Sequence, residues 1–476
     1  MNRVELFYEG LTSDKFKTEK EAVRYFFKTY DPKDPGYLKL KNKLVHQLVN
    51  TAFFVDINQA SYNERAKAYY TAYKDFAAAT ILMTRYTGKS GIYMCQLVLE
   101  QAIKYEFIEL AADVSRMLRK EYARIGGDIE KNKYYTNLYH KYEKKRYYEN
   151  LASDYHETLV SYYVTNRSPN KEIHCLAIKY FNELFPLIEA ANTSTFISVT
   201  YNIGIIKYSS INDVNSAMRL CDEALGILKH KVNTNRSTLV NFTIQKIAFY
   251  TQLRYDDNAV VKDLFHYCLN ILEEGDFNWF RIHEVYFYHC IYSSFYGEDL
   301  EVYRKIIKVE NFQFLAGIFH DNWLLLGGYL HLLAKLGALD PSEVENIVGP
   351  FRYSKLFNDI EVLKKDKEGM NIPLILLPVL MLLSQKPSER SKEIPIEALE
   401  KYRQRWLAND MNRRSNSFLK LLIAFSQKDY SATTYEKKIK KELDILKSET
   451  PQVAGQNFAV EIIPYETLWE LLNNIH

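Results

Sequence analysis

Turn-forming residues are scarce in this chain, and this scarcity constrains its fold more than any other feature. The 476 residues include 17 Gly and 12 Pro, about half the usual proportions of about 7% and about 5%. Few tight turns can form, which argues against sandwiches, barrels and Gly-rich nucleotide-binding folds and favours long helices. Apolar residues three and four positions apart, such as Tyr62, Ala66 and Tyr69, are typical of a buried helix face. We therefore predict an all-α protein, with residues 458–463 as its one weak strand candidate.

The cysteines and the apolar segments indicate a compartment. The longest apolar run, residues 372–383, holds two prolines and is shorter than a membrane span of roughly 20 residues. The first residues contain no apolar stretch of signal-peptide length. We expect a cytoplasmic protein with no membrane span, in which residues 372–383 form a buried core helix. Reduced, buried thiols are expected because the cysteines are odd in number, widely spaced and without a Cys-x-x-Cys pair: Cys95, Cys175, Cys221, Cys268 and Cys290.

Helical signals divide the chain into three parts. Residues 1–57 predict a small helical N-terminal unit, in which Thr18 and Glu21 form a capping-box pattern. Residues 58–338 predict a succession of helix pairs of around 34–40 residues each. Residues 339–476 predict a helical C-terminal region.

Two helix pairs carry residues that match a known repeat. The first copy matches one helix and its turn glycine, and the second matches a Leu-Gly pair and the small–bulky–small positions of the following helix. On these residues, the segment 58–338 resembles a degenerate tetratricopeptide-like array. The resemblance implies an α-solenoid of antiparallel helix pairs. The matching residues are Leu118, Tyr122 and Gly126 in the first copy and Ile203, Gly204, Ala217, Cys221 and Ala224 in the second.

The C-terminal third carries a second resemblance. It lies in residues 351–383, 397–406, 416–418 and 461–470. This block resembles a group of helical-repeat proteins of Bacteroidetes-type bacteria that has no established activity. The resemblance spans most of the chain, and it implies a bacterial helical-repeat protein without any catalytic residue to carry over.

The candidates for catalytic and metal-binding chemistry fail on spacing. A cluster of potential metal ligands lies within 25 residues: His266, Cys268, His283, Glu284, His289 and Cys290. A zinc helix that began at His283-Glu284 would need a histidine at Phe287. We expect buried, hydrogen-bonded histidines in an aromatic core there. The chain has no Gly-x-Ser-x-Gly elbow. The sequence thus predicts no catalytic, cofactor-binding or metal-binding residues.

Two basic–aromatic clusters are the candidate contact sites for a partner or a nucleic acid. Lysine and arginine contact phosphates, and aromatic rings stack on bases. The alternative interpretation is a solvated basic face whose long side chains lie along apolar surface. The first cluster is Lys144, Lys145, Arg146 and Tyr147, and the second is Arg403, Arg405, Trp406, Arg413 and Arg414.

Three functions remain open on this sequence. We expect first a non-enzymatic, intracellular scaffold or adaptor that binds a protein or peptide, because a repeat array leaves a groove along its length. The alternative is a nucleic-acid-linked regulator that uses residues 1–57 or 403–414 while the array acts as a sensor. The formal net charge of +3 is weaker than that of most nucleic-acid binders. The third and least favoured is an enzyme with a hidden site.

Overall fold

The computed structural model confirms an all-α protein, in which helix makes up 82% of the structure. It forms two compact units, residues 1–140 and residues 141–476. None of the described helices is both long enough and apolar enough to cross a membrane. The structure describes residues 2–52, 64–85, 88–124, 127–166, 171–231, 234–255, 257–360, 371–385, 396–408, 412–426, 432–451, 453–454 and 458–475.

Capped helices build the first unit. The side chain of Asn2 accepts a hydrogen bond from Val4, and Thr18 accepts one from Glu21, so that both helix starts have a capped N–H group. Helix α3 packs against α1 and α2, and α5 packs against α4 and α6. The helices are α1 Arg3–Thr12, α2 Glu19–Phe27, α3 Pro35–Ala52, α4 Glu64–Thr84, α5 Gly88–Lys104, α6 Ile108–Tyr122 and α7 Ile129–Asn166, the last of which continues into the second unit.

The second unit begins with helices that pack mainly on their neighbours in sequence. Helix α10 packs on α8 and α11, α12 on α11 and α13, and α14 on α12, α13 and α15. Short 3-10 turns lie at Phe185–Leu187 and Glu310–Phe314. The helices of this part are α8 Lys171–Leu184, α9 Ile188–Ala191, α10 Ser194–Ser209, α11 Val214–Lys229, α12 Arg236–Gln252, α13 Asn258–Leu269, α14 Phe277–Tyr292, α15 Glu298–Ile307, α16 Gly317–Lys335 and α17 Pro341–Val348.

One turn geometry recurs between successive helices of this part. A residue with a left-handed backbone ends each first helix, and the N–H of the next residue bonds the carbonyl five residues back, as from Asp213 to Tyr208 at 3.0 Å. A helix end closed by this hydrogen bond is the Schellman motif. Its left-handed residues are 42, 40 and 43 positions apart, a longer spacing than the helix-pair length expected from the sequence: Asn212, Arg254, Ser294 and Gly337.

The remaining helices share a hydrophobic core with the earlier ones. This core runs from Val240 to Leu472, so the predicted boundary between residues 338 and 339 falls inside it. Helix α19 is buried, as predicted for residues 372–383. The strand candidate contributes two residues to a short antiparallel pair, β1 Val453–Ala454 with β2 Phe458–Ala459. The last helices are α18 Tyr353–Asp359, α19 Asn371–Leu383, α20 Ile396–Trp406, α21 Arg413–Ser426, α22 Ala432–Ser448 and α23 Tyr465–Ile475.

Candidate functional site

The first basic–aromatic cluster lies on the surface of α7. Lys144 is exposed and lies over the ring of Tyr148, with 5.8 Å from Nζ to the ring centroid. Tyr147 is 62% exposed. Lys145 is half-buried, and so is Arg146, which forms an ion pair with Glu143 at 2.6 Å. The cluster therefore presents one lysine and one tyrosine fully to solvent.

Three arginines of the second cluster already contact side chains of the same protein. Arg403 is held by the carboxylate of Glu400 and by the side chain of Asn416. Arg405 lies over the ring of Trp406, 5.0 Å from the centroid. Arg413 forms an ion pair with a carboxylate of the same chain, at 2.8 Å from Glu449. Two of these three guanidinium groups are thus already paired with carboxylates.

Arg414 is buried, which differs from its predicted place in a contact surface. Its side chain is 3% exposed and forms ion pairs with Glu461, at 2.6 Å, and Glu466, at 2.9 Å. It also donates to the backbone carbonyls of Leu446 and Glu449. Burial alone raises the pKa of Glu466, but the guanidinium groups of Arg414 and Arg254 outweigh it and hold that pKa below its ordinary value. Arg414 is therefore the centre of a buried ionic network.

A groove between α13, α14 and α15 brings together groups that the sequence did not single out as a site. We call it the α13–α15 groove. Its cavity has a volume of about 530 Å³, within the range of about 300–1,000 Å³ typical of ligand sites. Its aromatic wall is the stacked pair Phe265 and Tyr286, with ring centroids 4.0 Å apart. The lining residues are Phe265, His266, Leu269, His283, Tyr286, Glu298, Glu301, Val302, Arg304, Lys305 and Lys308.

His283 lines this groove and carries a buried hydrogen-bond acceptor. Its side chain is 1% exposed, and its Nδ1 lies 2.7 Å from the carbonyl oxygen of Trp279. Burial lowers the pKa of His283 to about 4, so the ring is neutral at pH 7. Because a carbonyl only accepts, Nδ1 carries the proton and Nε2 is an acceptor. No described protein atom donates to this Nε2.

The carboxylates of the groove already bind partners within the chain, whereas its two lysines form no ion pair among the described residues. Glu298 accepts hydrogen bonds from Lys262, at 2.9 Å, and from the hydroxyl of Tyr286, at 2.8 Å. Although burial alone raises the pKa of Glu298, these bonds hold it below its ordinary value. Glu301 forms an ion pair with Arg304.

The two lysines of the groove lining, Lys305 and Lys308, form no ion pair with a carboxylate in the described part of the chain, and both are exposed. The Nζ of Lys305 lies 5.2 Å from the ring centroid of Trp279. Burial is the main cause of the low pKa of His283, and the charge of Lys305 lowers that pKa further. The groove thus combines two uncommitted cations with one neutral acceptor.

A larger cavity of about 610 Å³ lies among α16, α17 and α19. Its lining is mostly apolar, as with Phe351 and Met381, and its histidine, His331, is only half-buried. A binding site needs a few convergent polar groups as well as volume. The α13–α15 groove meets this requirement better, because two lysines without an ion pair in the described chain lie beside its acceptor, whereas the larger cavity has one, Lys335.

The histidine and cysteine predictions are confirmed in part. His283 and His289 are buried, and His289 is hydrogen-bonded to Asn258 at 2.8 Å, whereas His266 is exposed. All five cysteines are free. Four of them are buried, and the expectation of burial is wrong for Cys175, which is exposed. Within the described ranges, no group of three His, Cys, Asp or Glu side chains could hold a metal ion.

Spacing could not reveal the α13–α15 groove, since Phe265, His283 and Lys305 come from three helices separated by turns. A helix-pair register extended from the Gly204 copy would have indicated that these helices are neighbours. Comparison with models of protein families, with curated proteins and with solved structures finds no match to this chain.

Proposed function

We propose that this chain is a non-enzymatic, cytoplasmic scaffold that binds a protein or peptide, and that helices α8 to α17 form an α-solenoid. The observation that carries the proposal is the recurring turn at Asn212, Arg254, Ser294 and Gly337. Regular repetition of one turn places equivalent helices side by side. Packing mainly on sequence neighbours, as in α8 to α17, is the pattern of repeat proteins, whose grooves bind partners.

The groups of the α13–α15 groove favour binding over catalysis. Within the described chain no serine, threonine or cysteine lines the groove, and the hydroxyl of its tyrosine, Tyr286, already donates a hydrogen bond to Glu298. The nearby thiols are poor nucleophiles, because burial raises the pKa of Cys268 to about 12 and that of Cys290 even further. Hydrogen-bond acceptors and cations that serve no partner within the chain suit the recognition of another molecule.

The nucleic-acid alternative has less support. Arg403, Arg413 and Arg414 are each bound by a carboxylate of this chain, and phosphate contact would require those pairs to break. Five free thiols agree with a reducing compartment. The proposal of an intracellular binding protein therefore rests on the groove and the thiols rather than on the second basic cluster.

Affinity capture with a blocked groove tests the proposal. The tagged protein is expressed in its own host as wild type, as His266→Trp and as Asn215→Trp. His266 is an exposed residue of the groove lining, so a tryptophan there obstructs the groove, whereas Asn215 is exposed on α11 outside it. Melting temperatures verify that both variants fold.

The expected result is a reproducible set of bound proteins that His266→Trp loses and Asn215→Trp keeps. The opposite result, in which both variants retain the same bound proteins as the wild type, would show that the groove is not the binding surface.

A further inference from the structure

We propose that the α13–α15 groove binds an acidic segment of the partner polypeptide, with carboxylates on Lys305 and Lys308 and a backbone N–H donating to His283. This inference rests on the proposed function, since it specifies the chemistry of the partner at the same site. It goes further in naming the charge of the partner and the direction of the central hydrogen bond.

The unsatisfied acceptor fixes what kind of group must face His283. A buried polar atom without a hydrogen bond is costly, and such atoms are rare in native proteins. The bond from Nδ1 to Trp279 leaves Nε2 with a lone pair and no proton, so only a donor satisfies it. A carboxylate or a phosphate dianion offers acceptors alone and would be repelled there. The N–H of a peptide backbone is the donor that every residue of a partner except proline supplies.

The two groove lysines without an ion pair determine which charge the partner should carry beside that donor. Lys262 and Arg304 are paired with Glu298 and Glu301, and the lysines that remain are Lys305 and Lys308. Both lie on or just after α15, three positions apart, which places them on one side of that helix. An acidic residue carries a backbone N–H and a carboxylate within a few ångströms, so one short segment can serve both sides of the groove.

The aromatic wall gives room for apolar side chains between the acidic ones. The stacked rings of Phe265 and Tyr286 line the groove together with Leu269 and Val302. An alternating acidic and apolar segment therefore matches the lining better than a purely acidic one. A nucleic-acid strand fits less well, because its phosphodiester backbone carries no N–H group to donate to His283.

Fluorescence anisotropy with defined peptides tests the inference. The probe is a short fluorescein-labelled peptide of alternating Glu and Leu, and its first control has Gln in place of every Glu. A second control keeps the sequence and carries N-methyl groups on its backbone amides, which removes the donors. A labelled single-stranded oligonucleotide is measured alongside. The protein variants are Lys305→Glu, Lys308→Glu and His283→Phe, with Lys179→Glu, an exposed lysine on α8, as the matched control for charge.

We expect the Glu peptide to bind at least about tenfold more tightly than the Gln peptide, with affinity falling as salt rises. Each groove lysine reversal should weaken binding by at least about tenfold, and Lys179→Glu should change it little. His283→Phe keeps an aromatic ring but removes the acceptor, so it should weaken the Glu peptide and leave the N-methylated peptide unaffected. A merely structural effect of His283→Phe would weaken both peptides equally.

Equal binding of the Glu and Gln peptides, or equal losses in Lys179→Glu and the groove variants, would overturn the inference. Absence of peptide binding would overturn it too, and oligonucleotide binding that depends on Lys305 would assign the groove to nucleic acid instead. The proposed function has its own test in the capture by His266→Trp. Loss of partners in that variant together with no binding of acidic peptides would mean that the scaffold function stands and the acidic partner does not.

Discussion

Gly204 should be a position where adding a single methyl group destabilises the protein. A Cβ atom at Gly204 would lie 2.6 Å from Cε2 of Phe181 on α8 and 2.7 Å from Cδ1 of Leu220 on α11. Both distances are far below van der Waals contact, so the neighbouring side chains must move. Overpacking of this kind costs about 1–3 kcal/mol, against a gain of about 1 kcal/mol from the better helix propensity of alanine. We expect Gly204→Ala to lower the free energy of unfolding by about 1 kcal/mol and Gly204→Leu to lower it further.

Gly226 provides the matched control within the neighbouring helix. It is an exposed glycine of α11, and nothing lies within 4 Å of a Cβ atom built there. Gly226→Ala should therefore show the propensity gain alone, a stabilisation of about 0.5–1 kcal/mol. The same substitution thus has opposite signs at two positions, and a general effect of glycine replacement cannot produce that difference.

Urea unfolding followed by tryptophan fluorescence measures the free energy of unfolding of the second unit, in which both glycines lie. The chain has four tryptophans, Trp279, Trp323, Trp406 and Trp469, and all lie in the second unit. The midpoint should fall for Gly204→Ala and rise for Gly226→Ala with the slope unchanged. If Gly204→Ala stabilises the protein as much as Gly226→Ala does, then α8, α10 and α11 do not approach as closely as described, and the repeat register based on Gly204 is wrong.

Three further outcomes follow from buried charges and thiols. Burial lowers the pKa of His283 to about 4, below the unfolded value of about 6.5, so its contribution to stability is present above pH 6.5 and is lost as pH falls toward 4; unfolding curves should show a shallower loss of stability on acidification for His283→Phe than for the wild type. In the native protein a thiol reagent should modify Cys175 rapidly and the four buried cysteines only after denaturation, and a reductant should leave the melting temperature unchanged. Arg414→Met should destabilise by about 3–5 kcal/mol, because it leaves the buried carboxylate of Glu461 without its cation, whereas Arg413→Met at an exposed ion pair should cost at most about 1 kcal/mol; similar losses in urea unfolding would refute the burial of Arg414.

The fold class could be predicted because it depends on local pattern. Apolar residues three and four apart and a shortage of glycine and proline indicate helices wherever the chain packs. The buried helix at residues 372–383 and the capping residue Thr18 follow from the same kind of signal, and the structure has both.

Long-range partners could not be predicted in the same way. Arg413 and Arg414 are neighbours in sequence, yet one is exposed and the other is buried against Glu461 and Glu466. Nothing in the local sequence distinguishes the two, because the distinction arises from a segment that returns after helix α22 and the strands β1 and β2. The two arginines, which were predicted to share one contact surface, therefore lie in different environments in the folded protein.

The exact register of the predicted repeat was hidden for a different physical reason. A left-handed turn residue is usually glycine, since other residues cost about 1–2 kcal/mol there. Here the left-handed positions are Asn212, Arg254 and Ser294 as well as Gly337. A search for turn glycines therefore finds only the last of four equivalent turns. The α13–α15 groove was missed as a result, since its position depends on that register.

The hydrophobic core from Val240 to Leu472 limits how this chain can be shortened by mutation. Its buried side chains on α16, such as Leu326 and Leu330, belong to the same cluster as Leu377 on α19 and Leu468 on α23. A premature stop codon after residue 338 would therefore leave apolar surface of the earlier helices in contact with water. Such truncated products should aggregate or be degraded in the cell rather than persist as a shorter protein. Selection consequently acts on residues 240–472 as one inherited whole.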